Sequence, residues 1–174
     1  MISIVNQILA YLTVIGQIAV IVMLVNLTVF KGKSTLAEII NQKSLFLTFI
    51  VALVATLGSL FYSEIAGYEP CKLCWFQRIL MYPQVILLGM AFWKKDQGMA
   101  AYGLVLSVLG AVIAAYHYLL QIGVVSVLPC SAVGYSADCS QRFTMNFGYI
   151  TIPMMAFTAF LMIIFILITQ KSKK

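Results

Sequence analysis

The chain has 174 residues, of which 63% are hydrophobic and only 9% charged. An ordinary soluble domain carries about 25% charged residues, so a water-soluble enzyme, a disordered tail and a nucleic-acid-binding domain are excluded, and no nucleic acid is expected as a partner. A membrane span takes roughly 20 apolar residues, and four or five of them would use up the chain, leaving the net charge of +6 to the loops of a polytopic protein.

Five apolar stretches follow in chain order. The first runs from Met1 to Phe30 with no ionisable side chain except a tyrosine, and it lacks the basic start of a cleaved signal peptide. The stretch Ser34 to Gln42 is expected to be a solvated connector, with a short interfacial helix as the other option. The second span lies between Lys43 and Glu64. The third is short, because Ile79 to Trp93 is only 15 residues, or roughly 22 Å of helix. It crosses only if Trp75, Phe76 and Gln77 continue the helix and Arg78 reaches back toward the surface. The fourth runs from Met99 to about Gly123 and contains His117. The fifth runs from about Phe147 to Gln170.

Orientation follows from the basic residues. With five spans, Lys31, Lys33, Lys43, Lys94, Lys95, Lys171, Lys173 and Lys174 fall on one side, and Lys72, Arg78 and Arg142 on the other. The positive-inside rule puts the larger group in the cytoplasm and the amino terminus outside. Cys71 and Cys74, between spans two and three, and Cys130 and Cys139, between spans four and five, are then all expected outside, where disulfides form and persist.

Cys71-Lys72-Leu73-Cys74 is a Cys-x-x-Cys at a helix start. That spacing is typical of redox-active pairs, and the positive end of the helix favours a thiolate there. Two structural disulfides would also account for four cysteines. A tetrahedral zinc site is a further option, but the Cys130 to Cys139 separation is loose for one, and no metal is expected. Arg78 stands one helical turn after Cys74 on the same face, with Gln77 beside it. A fixed cation at that depth suits the carbonyl oxygen of a lipid-soluble quinone, as well as a plain interfacial anchor. His117, an ionisable group within a span, is a functional candidate by default, although a hydrogen-bonded packing histidine fits equally.

The string Pro70-Cys71-Lys72-Leu73-Cys74-Trp75-Phe76-Gln77-Arg78, followed by Met81-Tyr82-Pro83, resembles the signature of the DsbB family of disulfide-bond formation proteins, closest to its BdbC branch. Tyr116-His117-Tyr118 with Gln121, Pro129-Cys130 with Cys139, and Gly148-Tyr149-Ile150-Thr151-Ile152-Pro153 resemble that branch too. The resemblance implies an all-α membrane protein: a four-helix transmembrane core of the DsbB type over residues 43–174. Residues 1–42 would be an additional N-terminal span and its cytoplasmic connector.

It also implies a thiol oxidase in the cell membrane of a bacterium that re-oxidises an extracytoplasmic thioredoxin-like dithiol oxidase of the DsbA or BdbD kind. Electrons would pass from the partner to Cys130–Cys139, then to Cys71–Cys74, then to a membrane quinone, menaquinone or ubiquinone. Cys74 would contact the quinone, with Arg78, Gln77 and His117 around it. A vitamin K epoxide reductase-like enzyme shares the four-helix core, but in that family the loop cysteines precede the Cys-x-x-Cys, whereas here they follow it. A non-catalytic membrane subunit with structural disulfides is the remaining alternative.

Overall fold

The computed structural model describes residues 2–29, 34–125 and 138–171. Five helices are long and apolar enough to cross a membrane: α1 (Ile2–Val29), α2 (Thr35–Leu60), α3 (Lys72–Lys94), α4 (Ala100–Gln121) and α5 (Ile152–Lys171). Helices satisfy every backbone group internally, which lipid demands. Among the described residues the only β feature is a single bridge, Asn146 to Ile150.

Two boundaries differ from the sequence reading. The stretch Ser34 to Gln42 is helical rather than an irregular connector. Ser34 caps α2 by accepting from the Ala37 N–H at 3.2 Å, Glu38 sits in the first turn, and the helix continues unbroken into the second span. A serine cap with an early acid is a helix start signal, and it outweighs the polar character of the segment. The second is at α5, which starts at Ile152 rather than near Phe147. Phe147 and Gly148 have φ of 52° and 77°, left-handed values that interrupt a helix. At α3 the condition set by the sequence is met: the helix starts at Lys72, includes Trp75, Phe76 and Gln77, and has 23 residues, roughly 34 Å.

The core gathers where α3, α4 and α5 meet. Phe160, Ile163, Leu88 and Ala114 are fully buried there. The buried face of α4 carries Gly103, Ser107, Gly110, Ala111 and Ala114, small residues that let membrane helices approach closely. A Cβ on Gly110 would fall 2.3 Å from the Phe160 ring, so only glycine permits this contact. Ser107 donates to the Gln84 side-chain oxygen at 2.9 Å, a buried polar link between α4 and α3. Helix α1 packs mainly on α5 and meets α2 only lightly.

α2 ends in a five-residue π-helical turn, Phe61–Ile65. Such turns are rare and gather at functional sites. This one carries Tyr62 inward, and it lies at the end of the bundle where α3 begins, α4 ends and α5 begins.

Candidate active site

The site is built on the amino-terminal turn of α3. Cys71 is the N-cap residue, with extended backbone at φ −73° and ψ 172°, and its sulfur accepts from the Cys74 N–H at 3.4 Å. Sulfur thus stands where serine or aspartate usually caps a helix, two turns before Arg78. The Cys71 and Cys74 sulfurs share a hydrogen bond at 3.2 Å, and both residues are free thiols.

His117 approaches from α4, 46 residues away in sequence, and is 1% exposed. Gln77 Nε2 donates to its Nδ1 at 2.9 Å. That bond leaves the ring proton on Nε2, which points to the Cys139 carbonyl at 3.1 Å and to the Cys71 sulfur at 3.6 Å. The imidazole therefore ties the Cys-x-x-Cys to the Cys139 segment. The Cys71 and Cys74 sulfurs and a His117 ring nitrogen lie within 4.8 Å of one another, a donor set with the right chemistry for a thiophilic metal. Because Nδ1 is engaged and Nε2 carries the proton, the ring acts here as a hydrogen-bond donor instead of a lone-pair ligand.

The Cys71 thiol sits well below its ordinary range. The hydrogen bond from Cys74 is the largest cause, burial opposes it, and the His117 hydrogen bond and the Cys74 N–H add to the lowering. An ordinary thiol loses its proton near pH 8.5. A depressed value in the folded, reduced protein means that the thiolate is present at neutral pH. Its contribution to stability is complete above the ordinary thiol pKa and fades as pH falls toward the depressed one. The thiolate absorbance of the reduced protein, taken as the difference from Cys71→Ser, should therefore persist well below pH 8, and His117→Leu should move its loss upward. A titration midpoint near 8.5 in the unmodified protein would contradict this arrangement.

Two spaces flank the pair. The larger is an apolar cavity of about 330 Å³ between α1, α2, α3 and α5, with Cys74, Gln77, Arg78, Ser59, Tyr62, Tyr68 and Tyr82 on its walls. The smaller is a narrow cleft bordered by Cys71, Cys74, His117, Gln121, Asp138 and Gln141. Cys74 borders both, Cys71 and His117 the cleft.

Arg78 is half-buried in the cavity wall. Its Nε donates to the Ser59 hydroxyl and its Nη2 to the Ser59 carbonyl, both at 3.1 Å, and its guanidinium lies 5.4 Å from the Trp75 ring centre. These neutral contacts fix the position of the charge without cancelling it. The Tyr82 hydroxyl donates to the same serine oxygen at 3.1 Å. Tyr62, Tyr68 and Phe143 form a stack with centroid distances of 5.8 and 4.9 Å on the cavity wall.

Of the residues singled out in the sequence, Cys71, Cys74, Gln77, Arg78, His117 and Cys139 converge at this end. Cys139 is buried and disulfide-bonded; Cys130 lies outside the described residues. The segment after Cys139 is held by Arg142, whose Nε donates to the Gln121 carbonyl at the end of α4 at 2.8 Å, and by the Gln121 amide, which donates to the Gln141 carbonyl at 3.0 Å. Sequence reasoning passed over Ser59, Tyr62, Tyr68 and Phe143. A serine within an apolar span was the one available signal for Ser59, and the stacked aromatics carried none.

Comparison with known proteins addresses the family. The family model described as Disulfide bond formation protein DsbB matches residues 41–170. The chain belongs to the DsbB family. Disulfide bond formation protein C of Bacillus subtilis (strain 168) is 42% identical over 132 residues, covering 75% of this chain and 94% of that protein. A probable disulfide formation protein of Oceanobacillus iheyensis is 46% identical over 126 residues, covering 72% and 86%. One of Coxiella burnetii is 38% identical over 134 residues, covering 76% and 90%. No solved structure matches the chain. This DsbB-family chain is thus a multi-pass bacterial membrane protein of disulfide bond formation, and the vitamin K epoxide reductase-like alternative is set aside.

Proposed function

We propose that the chain is a membrane thiol:quinone oxidoreductase that re-oxidises an extracytoplasmic thioredoxin-like dithiol oxidase of the DsbA or BdbD type. The observation that carries this reading is the double exposure of Cys74, which borders both the cleft beside the Cys139 segment and the apolar cavity. A redox pair set between two such spaces suits the transfer of electrons from a protein thiol to an acceptor dissolved in lipid.

The cavity fits such an acceptor. Its volume is within the 300–1,000 Å³ of ordinary ligand sites, and it combines apolar walls with a few convergent polar groups. A bound quinone would supply a two-electron, two-proton acceptor. Arg78, fixed by Ser59, would hold a carbonyl oxygen and favour negative charge there. Gln77 lines the same wall and is oriented by His117, so His117 would serve the cavity through Gln77 and the sulfur pair through Cys71. On the cleft side, the partner's thiolate would attack Cys130 and release Cys139, which would attack Cys71 and release Cys74. The partner's second thiolate would close its own disulfide and free Cys130, which would re-form Cys130–Cys139 and return Cys71 as a thiolate. Cys71, 3.2 Å from the Cys74 sulfur, is the group set to reclose the Cys71–Cys74 bond, with the two electrons released going to the quinone. The lysine asymmetry of the loops supports an extracytoplasmic position for all four cysteines.

The test is reconstitution of the full chain in lipid vesicles with a quinone and a reduced thioredoxin-like protein. One disulfide formed per quinone converted to hydroquinone is the expected stoichiometry. Thiol oxidation that proceeds without hydroquinone, or no oxidation at all, would reject the reading.

A further inference from the structure

The family match begins at residue 41, after α1, yet α1 forms part of the cavity wall. Leu9, Leu12, Thr13, Ile15 and Gly16 all face the cavity, a spacing that describes one side of a helix. Thr13 is buried, and its hydroxyl turns back to the Leu9 carbonyl at 2.7 Å. The surface that α1 offers is therefore apolar.

α1 is anchored unevenly. Against α5 it is tight: a Cβ on Gly16 would lie 2.8 Å from the Met162 sulfur and 3.1 Å from a Thr158 methyl. The Tyr149 hydroxyl donates to the Gln17 side-chain oxygen at 2.9 Å. Toward α2 the contact is thin. Leu9 rests over Gly58, where a Cβ would meet it at 3.4 Å. Near the end of the helix, Asn6 Oδ1 accepts from the Tyr62 hydroxyl at 2.8 Å and from Asn146 Nδ2 at 3.0 Å. One edge of the wall is fixed and the other only rests, with a polar clasp at its outer end.

We propose that α1 is a specificity wall for the quinone: it closes the lipid-facing side of the cavity, contacts the bound ring through Thr13 and its neighbours, and passes the tail between α1 and α2 over Gly58. The inference rests on the quinone reading above. By excluding acyl chains, α1 keeps the Arg78 charge available to the ligand. Gly58 carries no side chain and Leu9 rests against it, so Leu9 is the side chain that a passing tail must displace.

The experiment uses the full chain in vesicles, with Thr13→Phe and Gly58→Leu as separate variants. Each is assayed with a short-tailed and a long-tailed quinone, and first-turnover oxidation of a dithiol protein without quinone reports an intact fold. Thr13→Phe should raise KM about tenfold for both quinones, the scale expected of a bulky side chain forced into a packed site. Gly58→Leu should penalise the long-tailed quinone more than the short one. In the unmodified protein, a photoreactive short-tailed quinone should label residues 9–16, which decides the matter even if a variant fails to fold. Unchanged KM values in folded variants, or label confined to α3 and α5, would overturn the role of α1. If the unmodified protein reduces no quinone, the proposed function itself falls, and α1 with it.

Discussion

Replacing Arg78 with glutamine should raise the KM for quinone by about one to two decades while leaving thiol exchange between the cysteine pairs unchanged. The figure follows from the loss of one charge-assisted contact, worth roughly 1.5–3 kcal/mol. The geometry makes the arginine hard to replace. Ser59 receives two of its N–H groups and Trp75 lies beside its plane, so the charge is held in the cavity wall at no further cost in side-chain freedom when a ligand arrives. Glutamine keeps a polar tip but neither the charge nor the fork. The check is steady-state kinetics with varied quinone, beside a quinone-free exchange assay on the same preparation. Equal KM values would reduce Arg78 to an interfacial anchor.

The Cys139→Ser variant, with Cys130 intact, should lose partner-driven turnover and accumulate a mixed disulfide through Cys130 when given the partner in its oxidised form. The freed Cys130 thiolate attacks the partner's disulfide, one partner sulfur leaves as a thiol, and no internal Cys139 remains to resolve the adduct. A band sensitive to reductant on a non-reducing gel, mapped by mass to Cys130, is the expected result. An adduct through Cys71 with Cys130 free would reverse the proposed order. The burial of Cys71 beneath His117 and the Cys139 segment argues for the order given, since Cys71 is 3% exposed and poorly placed to meet a large partner.

Much of this was readable along the chain. The number of spans and their order follow from where charges interrupt apolar runs, because a charge within lipid is costly. The redox role proposed for Cys71 and Cys74 was suggested by their spacing at a helix start, and the face shared by Cys74 and Arg78 follows from the helical period. These are local properties, and a local chemical pattern can be read from neighbouring residues alone. The Ser34 to Gln42 segment shows the limit even of local reading: its polarity suggested solvent, whereas its capping serine and early acid made it the first turns of α2.

Which faces meet was decided only by the tertiary structure. All five spans are apolar around most of their circumference, so hydropathy does not say which side of one helix turns to another, and in lipid the choice falls to close packing of small residues and a few buried polar contacts. Gly110 against Phe160 and Ser107 with Gln84 set how α4 meets its neighbours, and that placement carries His117 to Gln77, 40 residues away in sequence. The same packing brings Ser59 under Arg78 and lays α1 along the cavity. The sequence alone determined the spans, the closely spaced cysteine pair and the cation one turn after it. The cavity, its wall and the histidine that joins the two cysteine segments exist only once the helices pack, because each is made of residues whose pairing no single stretch of chain encodes.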